Sequence, residues 1–197
     1  MIFYISALII IIGFFLYRFL QRNKFYIREM FIEKMRSDLD YKRTLAMGLY
    51  YRFKTKEIDE KNTNLFIRED PFAFEDFVGN VLSKKLNGNA FVTKRSGDFG
   101  VDIQIDINED INNRVYIQVK CYKDDLNYEP IALVNSKMSK DKVKKGMVIT
   151  TSNFSDEARE YAEGLNIDLI NGVQFVEMWM EAVAGETKQI KELQFEF

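Results

Sequence analysis

The sequence contains no histidine at all. This absence excludes histidine-based catalytic triads, zinc sites with histidine ligands, and nucleases that use a histidine as the general base. The single cysteine, Cys121, cannot form an intrachain disulfide, which fits a reducing compartment. Any catalysis must therefore come from carboxylates, amides, lysines or hydroxyls. If these groups bind a metal ion, their oxygen atoms favour Mg²⁺ or Mn²⁺ over zinc.

Proline and flexible tracts are also scarce. The 197 residues include two prolines and no long run of glycine and serine, so a long flexible linker is not expected. Apolar residues make up 47% and charged residues 29%, which is typical of a globular chain with one core. We predict four parts: a transmembrane anchor at residues 1–20, a basic juxtamembrane helical segment at 21–69, a folded α/β domain at 70–184 and a C-terminal tail at 185–197.

The net charge of −2 is unevenly distributed. Residues 18–56 carry eleven basic and four acidic side chains, a net charge of +7, so residues 57–197 carry −9. The folded part is therefore acidic overall. It has no general positive surface charge that would attract it to nucleic acid.

The amino-terminal residues form a long apolar run. Residues 2–17 are uncharged, and with their neighbours they give about 20 residues, enough for a helix to cross a hydrocarbon core of about 30 Å. A signal peptide fits poorly, because there is neither a positive start nor a small-residue cleavage site. A buried core helix fits poorly too, since four consecutive isoleucines leave no polar face. The basic residues that follow the run predict a single-pass membrane protein with a cytoplasmic C-terminal domain.

Residues 24–53 show an amphipathic helical pattern. Two interpretations stay open for this helix. It can lie against anionic lipid through its basic side chains, or it can pack on the folded domain as a connecting helix.

The folded part shows a regular succession of elements. Capping residues and hydrophobic periodicity predict helices at 71–86, 129–142, 155–164 and 174–184, and strands at 90–94, 101–107, 114–122, 146–150 and 167–170. The order α-β-β-β-α-β-α-β-α predicts a mixed β-sheet with helices on both faces.

Polar residues on two neighbouring strands are candidates for a site. Asp102 lies on the second strand, and Gln118 and Lys120 lie two residues apart on one face of the third, about 6.5–7 Å from each other. Pairing of these strands would bring the three together. Glu75 projects from the buried flank of the first helix, where a carboxylate costs several kcal/mol unless it is paired or bound to metal. The alternative is an amphipathic hairpin whose polar face is simply exposed to water.

This residue set suits phosphodiester cleavage. Asp102, Gln118 and Glu75 could supply oxygen ligands to a divalent ion. Lys120 could orient or deprotonate a water, or neutralise developing charge.

Several separated motifs resemble one known family. They are Phe74-Glu75-Asp76-Phe77-Val78, the run from Ser96 to Ile103 (SGDFGVDI), and the run from Gln118 to Lys123 (QVKCYK). In this order they resemble the Mrr-type catalytic domain of the PD-(D/E)xK restriction-endonuclease-like superfamily. Residues 148–155 and 170–172 are similar to it as well, so the resemblance covers roughly residues 70–183.

The resemblance implies a role for each residue. Asp102 matches the metal-binding aspartate, Lys120 the catalytic lysine and Glu75 the helix-borne carboxylate, while Gln118 stands where many superfamily members have an acid. Asp98 matches a family acid that could hold a second ion or cap the turn. The implied fold is a restriction-endonuclease-like mixed sheet.

The resulting expectation is a membrane-anchored endonuclease that cuts DNA with Mg²⁺ or Mn²⁺ in restriction or defence. A structure-specific junction nuclease or an RNase would use the same site, and a catalytically inactive nuclease fold that serves as a binding module is the alternative of another class. Cleavage of both strands favours a homodimer. Candidate nucleic-acid contacts are Lys94, Arg95, Lys123, Lys140 and Lys144, although the lysines between 137 and 145 could equally form a solvated face.

Overall fold

A computed structural model describes residues 2–54, 73–93 and 100–195. For residues 2–9, 25, 28, 73 and 186–195 it gives the course of the backbone alone. The chain divides into two compact units, residues 1–38 and 39–197. The helices are α1 (Ile2–Ser37), α2 (Leu39–Phe53), α3 (Ala73–Leu86), α4 (Glu129–Asp141), α5 (Asp156–Ala162) and α6 (Gly172–Phe195), and the strands are β1 (Gly88–Val92), β2 (Ile103–Ile107), β3 (Arg114–Lys120), β4 (Lys145–Thr150) and β5 (Ile167–Ile170).

The first unit consists of α1, which begins within the predicted membrane anchor. Among the described residues, no helix combines the length and apolar character needed to cross a membrane. Met1 and the side chains of residues 2–9, the first part of the predicted anchor, lie outside the described residues. The anchor at residues 1–20 therefore stays a prediction from the sequence.

The second unit is built on a five-stranded sheet in the order β1-β2-β3-β4-β5. β1, β2 and β3 pair antiparallel, whereas β3, β4 and β5 run parallel. This arrangement confirms the predicted mixed sheet and the predicted order of elements from the first domain helix to the last.

Helices cover both faces of this sheet. On one face α3 packs where Gly79 approaches Ile103 of β2, and α6 buries Phe175 and Val176. On the other face α4 and α5 pack over a cluster that contains Tyr116 and Val148. Side chains of alternate strand residues therefore enter two separate cores, as the strand period requires.

Two predicted strands are longer than the observed ones, and both differences lie at the same end of the sheet. β3 ends at Lys120 rather than residue 122, because its neighbour β4 ends opposite it at Thr150 and no further strand residue is available to pair. β2 begins at Ile103 rather than residue 101. Val101 was expected on the face of Ile103, but it belongs to the cluster under α4, on the opposite face. The alternation thus breaks between these two residues.

The helix α2 is part of the second unit. Ala46 and Leu49 are buried, and Lys42 forms an ion pair with Glu177 of α6 at 3.7 Å. This packing confirms the interpretation of residues 39–53 as a helix that packs on the domain. The compact unit accordingly starts at Leu39, before the domain boundary expected at residue 70.

An ion pair closes the other end of the β2–β3 ladder. Asp106 and Arg114 lie directly opposite each other, and the guanidinium donates to the carboxylate through Nε at 2.6 Å and Nη2 at 2.8 Å. The hydrogen bond from Arg114 lowers the pKa of Asp106, against the raising effect of burial. The pair is therefore favourable only while the carboxyl group is ionised.

Asp106→Asn is expected to lower the free energy of unfolding by about 1.5–3 kcal/mol at pH 7, the usual contribution of hydrogen bonds to a charged group. Because the folded-state pKa is lowered, this contribution is present above the unfolded-state pKa of about 3.9 and is lost as the pH falls through the folded-state value. Urea denaturation of both proteins across this range measures the difference. Asp124→Asn, at an exposed loop carboxylate, is the control that should show no such gap.

Candidate active site

A local irregularity at the start of β2 positions Asp102. The regular register pairs Ile103 with Ile117, yet the backbone N–H of Asp102 also donates to the Ile117 carbonyl, at 2.8 Å. Two residues of one strand thus oppose one residue of the other, which is the arrangement of a β-bulge. Bulges redirect side chains, and this one accounts for the face change of Val101.

The redirected carboxylate is bound by the neighbouring strand. Asp102 is only 8% exposed, and its Oδ2 accepts a hydrogen bond from the backbone N–H of Val119 at 2.6 Å. The same oxygen accepts a hydrogen bond from Nε2 of Gln118, which is 2% exposed. The predicted proximity of Asp102 and Gln118 is therefore present as a direct contact. The alternative of a wet polar face is wrong for these two side chains.

Gly100 lies between the Gln118 side chain and helix α4. Its φ of +84° lies in the region that favours glycine, and a Cβ atom there would lie 2.5 Å from Cβ of Leu133 on α4 and 3.3 Å from Oε1 of Gln118. Only glycine allows the chain to pass between α4 and the amide of Gln118. The half-exposed Leu133 borders the site and was not expected from the sequence, since the pairing of α4 with this turn leaves no pattern in the chain.

Lys120 is the last residue of β3. It lies two residues after Gln118, so the strand period directs both side chains to the face covered by α4. The side chain is half-buried. Its carbonyl accepts a hydrogen bond from Thr151 N at 3.2 Å, and the Thr151 hydroxyl donates to the Tyr122 carbonyl at 2.7 Å. Thr151 therefore holds the backbone at Lys120 and two residues after it.

Glu75 lies in the first turn of α3 and is half-buried, whereas Asp76 is exposed, as predicted. α3 comes close to the sheet at Gly79, where an added Cβ would lie 3.9 Å from the side chains of Ile103 and Val92. Glu75 is one helical turn before Gly79. The chain leaves α3 directly into β1, so its first turn lies at the end of the sheet where Asp102 lies. Helix α3 covers the face of the sheet opposite to the one that Gln118 and Lys120 face, so Glu75 can approach them only around the end of the sheet. The role of Glu75 as a metal ligand stays a prediction.

The donor set fits a hard divalent cation. Asp102 offers a carboxylate and Gln118 an amide oxygen, and Mg²⁺ in such sites keeps several waters and uses one or two carboxylates together with substrate phosphate. Within the described ranges no group of three or more acidic, cysteine or histidine side chains gathers. The predicted Asp98 lies outside those ranges. For Gln118 to act as a ligand, its amide must present Oε1 where Nε2 now contacts Asp102.

The predicted nucleic-acid contacts occupy different places. Lys123 is exposed, three residues beyond the end of β3, near Lys120. Lys140 and Lys144 are exposed in the last turn of α4 and just before β4. Because β4 runs parallel to β3, Lys144 lies near the opposite end of the sheet, about 20 Å along the strands from the level of Lys120. Lys94 and Arg95 lie outside the described residues.

Comparison with known proteins decides the family. The model of the Mrr_cat family, described as restriction endonuclease, matches residues 67–179, more than half of the sequence. The chain belongs to this restriction endonuclease family. The matched range contains the whole sheet together with all four predicted catalytic residues, Glu75, Asp102, Gln118 and Lys120, while α1 and α2 precede it.

Individual relatives agree with this assignment. The chain is 27% identical over 137 residues to the type IV methyl-directed restriction enzyme EcoKMrr of Escherichia coli K12, a match that covers 67% of this chain and 45% of that protein. The chain thus spans less than half the length of this curated relative. The fold is similar to that of the DNA modification-dependent restriction endonuclease AspBHI, with a TM-score of 0.53, 19% identity, and coverage of 72% of this chain and 35% of AspBHI. Its mixed five-stranded sheet is therefore of the restriction-endonuclease type.

Proposed function

We propose that this member of the Mrr_cat family is an endonuclease that hydrolyses DNA phosphodiester bonds with Mg²⁺ or Mn²⁺. The observation that carries the proposal is the buried contact between Asp102 and Gln118, with Lys120 on the same strand face. A buried carboxylate is costly unless hydrogen bonds, an opposite charge or a metal ion offset the cost, so its presence here needs a reason. Here a β-bulge and the Val119 amide hold it at the end of the sheet where β2 begins, and a substrate can approach there.

Each residue has a distinct task in this proposal. Asp102 and Gln118 hold the cation, and Glu75 completes the set from α3. The bound ion supplies Lewis-acid polarisation of the phosphate and lowers the pKa of a water. The ammonium group of Lys120 orients that water and offsets the charge that develops on the phosphate oxygens. The bulge keeps Asp102 in place before the ion arrives, which lowers the cost of binding it.

DNA as the substrate is supported by the family and by EcoKMrr, whose name describes methyl-directed restriction. We infer that modified DNA is the preferred substrate of this chain as well. The surface of the domain argues against broad electrostatic capture, because residues 57–197 carry a net charge of −9. Selection by a specific contact, such as one to a modified base, fits such a surface better than non-specific binding.

The test uses the purified full chain with a panel of substrates. Supercoiled plasmid with and without cytosine or adenine methylation, single-stranded DNA, a four-way junction and RNA are each incubated with Mg²⁺, with Mn²⁺ and with EDTA. The proposal predicts metal-dependent cleavage of duplex DNA, fastest on a methylated plasmid. Cleavage confined to the junction or to RNA would assign the structure-specific or RNase function instead. Binding of DNA with no cleavage on any substrate would assign an inactive binding module.

Membrane attachment through residues 1–20 and a cytoplasmic position of the nuclease are further proposals that rest on the sequence. The apolar side chains of residues 10–20 that the structure describes are more than half exposed, which suits contact with lipid or with another apolar surface. Recovery of the full chain in the carbonate-washed membrane fraction supports the anchor, and release into the wash contradicts it. We also propose a homodimer, because cutting both strands of a duplex usually requires two active sites.

A further inference from the structure

The helix α2 lies outside the residues that the family match covers, yet it contacts the first turn of α3. The ring of Phe53 packs on Phe74 with a centroid distance of 5.2 Å and stacks on Phe77 at 5.4 Å. These two residues flank Glu75 in the sequence, and Phe74 is buried. The rotation and position of the helical turn that carries Glu75 are therefore set in part by one side chain of α2.

A second contact joins α2 to the end of β3. The thiol of Cys121 donates to the Tyr50 carbonyl at 3.7 Å, and Cys121 directly follows Lys120. The residue was expected to fill the core on the apolar face of a longer strand, but it is half-buried beyond the end of β3. Burial raises its pKa to about 11, so the group remains a protonated donor at neutral pH.

A third contact reaches the same end of the sheet through α6. Gly172, at the start of α6, lies so close to α2 that an added Cβ would be 3.0 Å from Cβ of Ala46 and would collide with the Thr151 carbonyl. The N–H of Thr151 donates to the carbonyl of Lys120. Helix α2 thus contacts Cys121, which follows the predicted catalytic lysine, and it reaches Thr151, which is bonded to the carbonyl of that lysine, through Gly172 of α6.

We propose that α2 is a positioning element of the active site, in which Phe53 fixes the turn of α3 that carries Glu75 while Tyr50 and Ala46 support the end of β3. This inference rests on the proposed nuclease function, because it assigns α2 to the catalytic unit. Displacement of a catalytic group by about 1 Å can cost about 10²-fold in rate. Loss of the Phe53 ring should therefore lower the turnover far more than a loss of stability alone would.

The test compares Phe53→Ala, Phe53→Leu and the wild type in the full chain. We expect Phe53→Ala to lower kcat on duplex DNA by at least about tenfold, to raise the Mg²⁺ concentration needed for half-maximal rate, and to leave the KM for DNA within about twofold. Phe53→Leu, which keeps an apolar side chain against α3, should restore most of kcat. The thermal midpoint of each variant is measured in the same buffer.

Met138→Ala is the matched control, because Met138 is buried near the end of α4 against Gly146 of β4, four residues along the strands from the level of Lys120. Measured at a temperature where both variants are folded, it should keep kcat within about twofold of wild type despite a comparable drop in Tm. Equal losses of kcat in Phe53→Ala and Met138→Ala would overturn the positioning role. If the alanine variant does not fold, Phe53→Val gives the same comparison. Absence of cleavage by the wild type would instead reject the proposed nuclease function, and the role of α2 with it.

Discussion

Asp102→Asn is expected to reduce metal-dependent DNA cleavage by about 10³-fold or more while the fold is retained. The substitution removes the charge that binds the cation. It keeps an oxygen acceptor, and both hydrogen bonds from Gln118 and Val119 are accepted by a single carboxylate oxygen, Oδ2. The side-chain carbonyl of asparagine can occupy that position. Single-turnover cleavage of a duplex substrate at saturating Mg²⁺, together with a thermal unfolding curve, measures both effects.

Asp102→Ala provides the structural comparison. Alanine leaves the buried N–H of Val119 and the amide of Gln118 without this acceptor, at a cost of about 1–3 kcal/mol for each unsatisfied group. Both variants should therefore be inactive, but only the alanine variant should show a clearly lower Tm. Wild-type cleavage by Asp102→Asn would remove Asp102 from the list of metal ligands.

Gln118→Glu is expected to lower the stability of the metal-free protein and to raise its affinity for Mg²⁺. The new carboxylate would contact Asp102 in a buried site, and two like charges at that distance raise the pKa of one of them. Without Mg²⁺ the variant should lose about 3 kcal/mol of stability relative to wild type, and the loss should grow as the pH rises through the raised pKa. A bound divalent cation offsets the repulsion, so the Mg²⁺ concentration for half-maximal cleavage should fall by roughly tenfold.

The measurement is the Tm of Gln118→Glu with and without Mg²⁺ at acidic and at slightly alkaline pH. The Mg²⁺-induced increase in Tm should exceed that of the wild type, and the difference should be largest at the higher pH. Gln174→Glu is the matched control, since Gln174 is exposed and caps the N–H of Asn171 at the start of α6, where glutamate serves equally well. An equal Mg²⁺ response in both variants would show that the residue at position 118 does not face the cation.

The convergence of Asp102 and Gln118 could be predicted because strand alternation and antiparallel pairing fix which residues meet. Helix ends could also be predicted from the sequence. Asn87, with a φ of +49°, ends α3, and the Ser155 side chain caps α5 by accepting a hydrogen bond from Ala158 N at 3.1 Å. These features depend on local chemistry that each residue carries by itself. They transfer from sequence to structure without knowledge of distant contacts.

The β-bulge could not be predicted in this way. A main-chain hydrogen bond that is out of register by one residue has no side-chain signature, and the apolar Val101 suits the core on either face of the sheet. The bulge also supplies the Val119 N–H as a partner of Asp102, a backbone group that no residue pattern reveals.

The placement of α2 depended on contacts between distant parts of the chain. An amphipathic helix with basic residues suits a lipid surface and a protein surface equally well, so its sequence left both interpretations open. The aromatic contact of Phe53 with α3 decides between them, and it joins residues separated by more than twenty positions. The distance of Lys144 from Lys120 likewise followed only from the parallel direction of β3 and β4.

Cleavage by Lys120→Ala in the full chain tests the central claim most directly. Lys120 acts on the water and on the developing charge, while Asp102 and Gln118 hold the ion. The variant should therefore keep the Mg²⁺-induced increase in Tm and lose about 10²–10⁴-fold in the single-turnover rate on duplex DNA. Cleavage at the wild-type rate by Lys120→Ala would contradict the assignment of this end of the sheet as the active site.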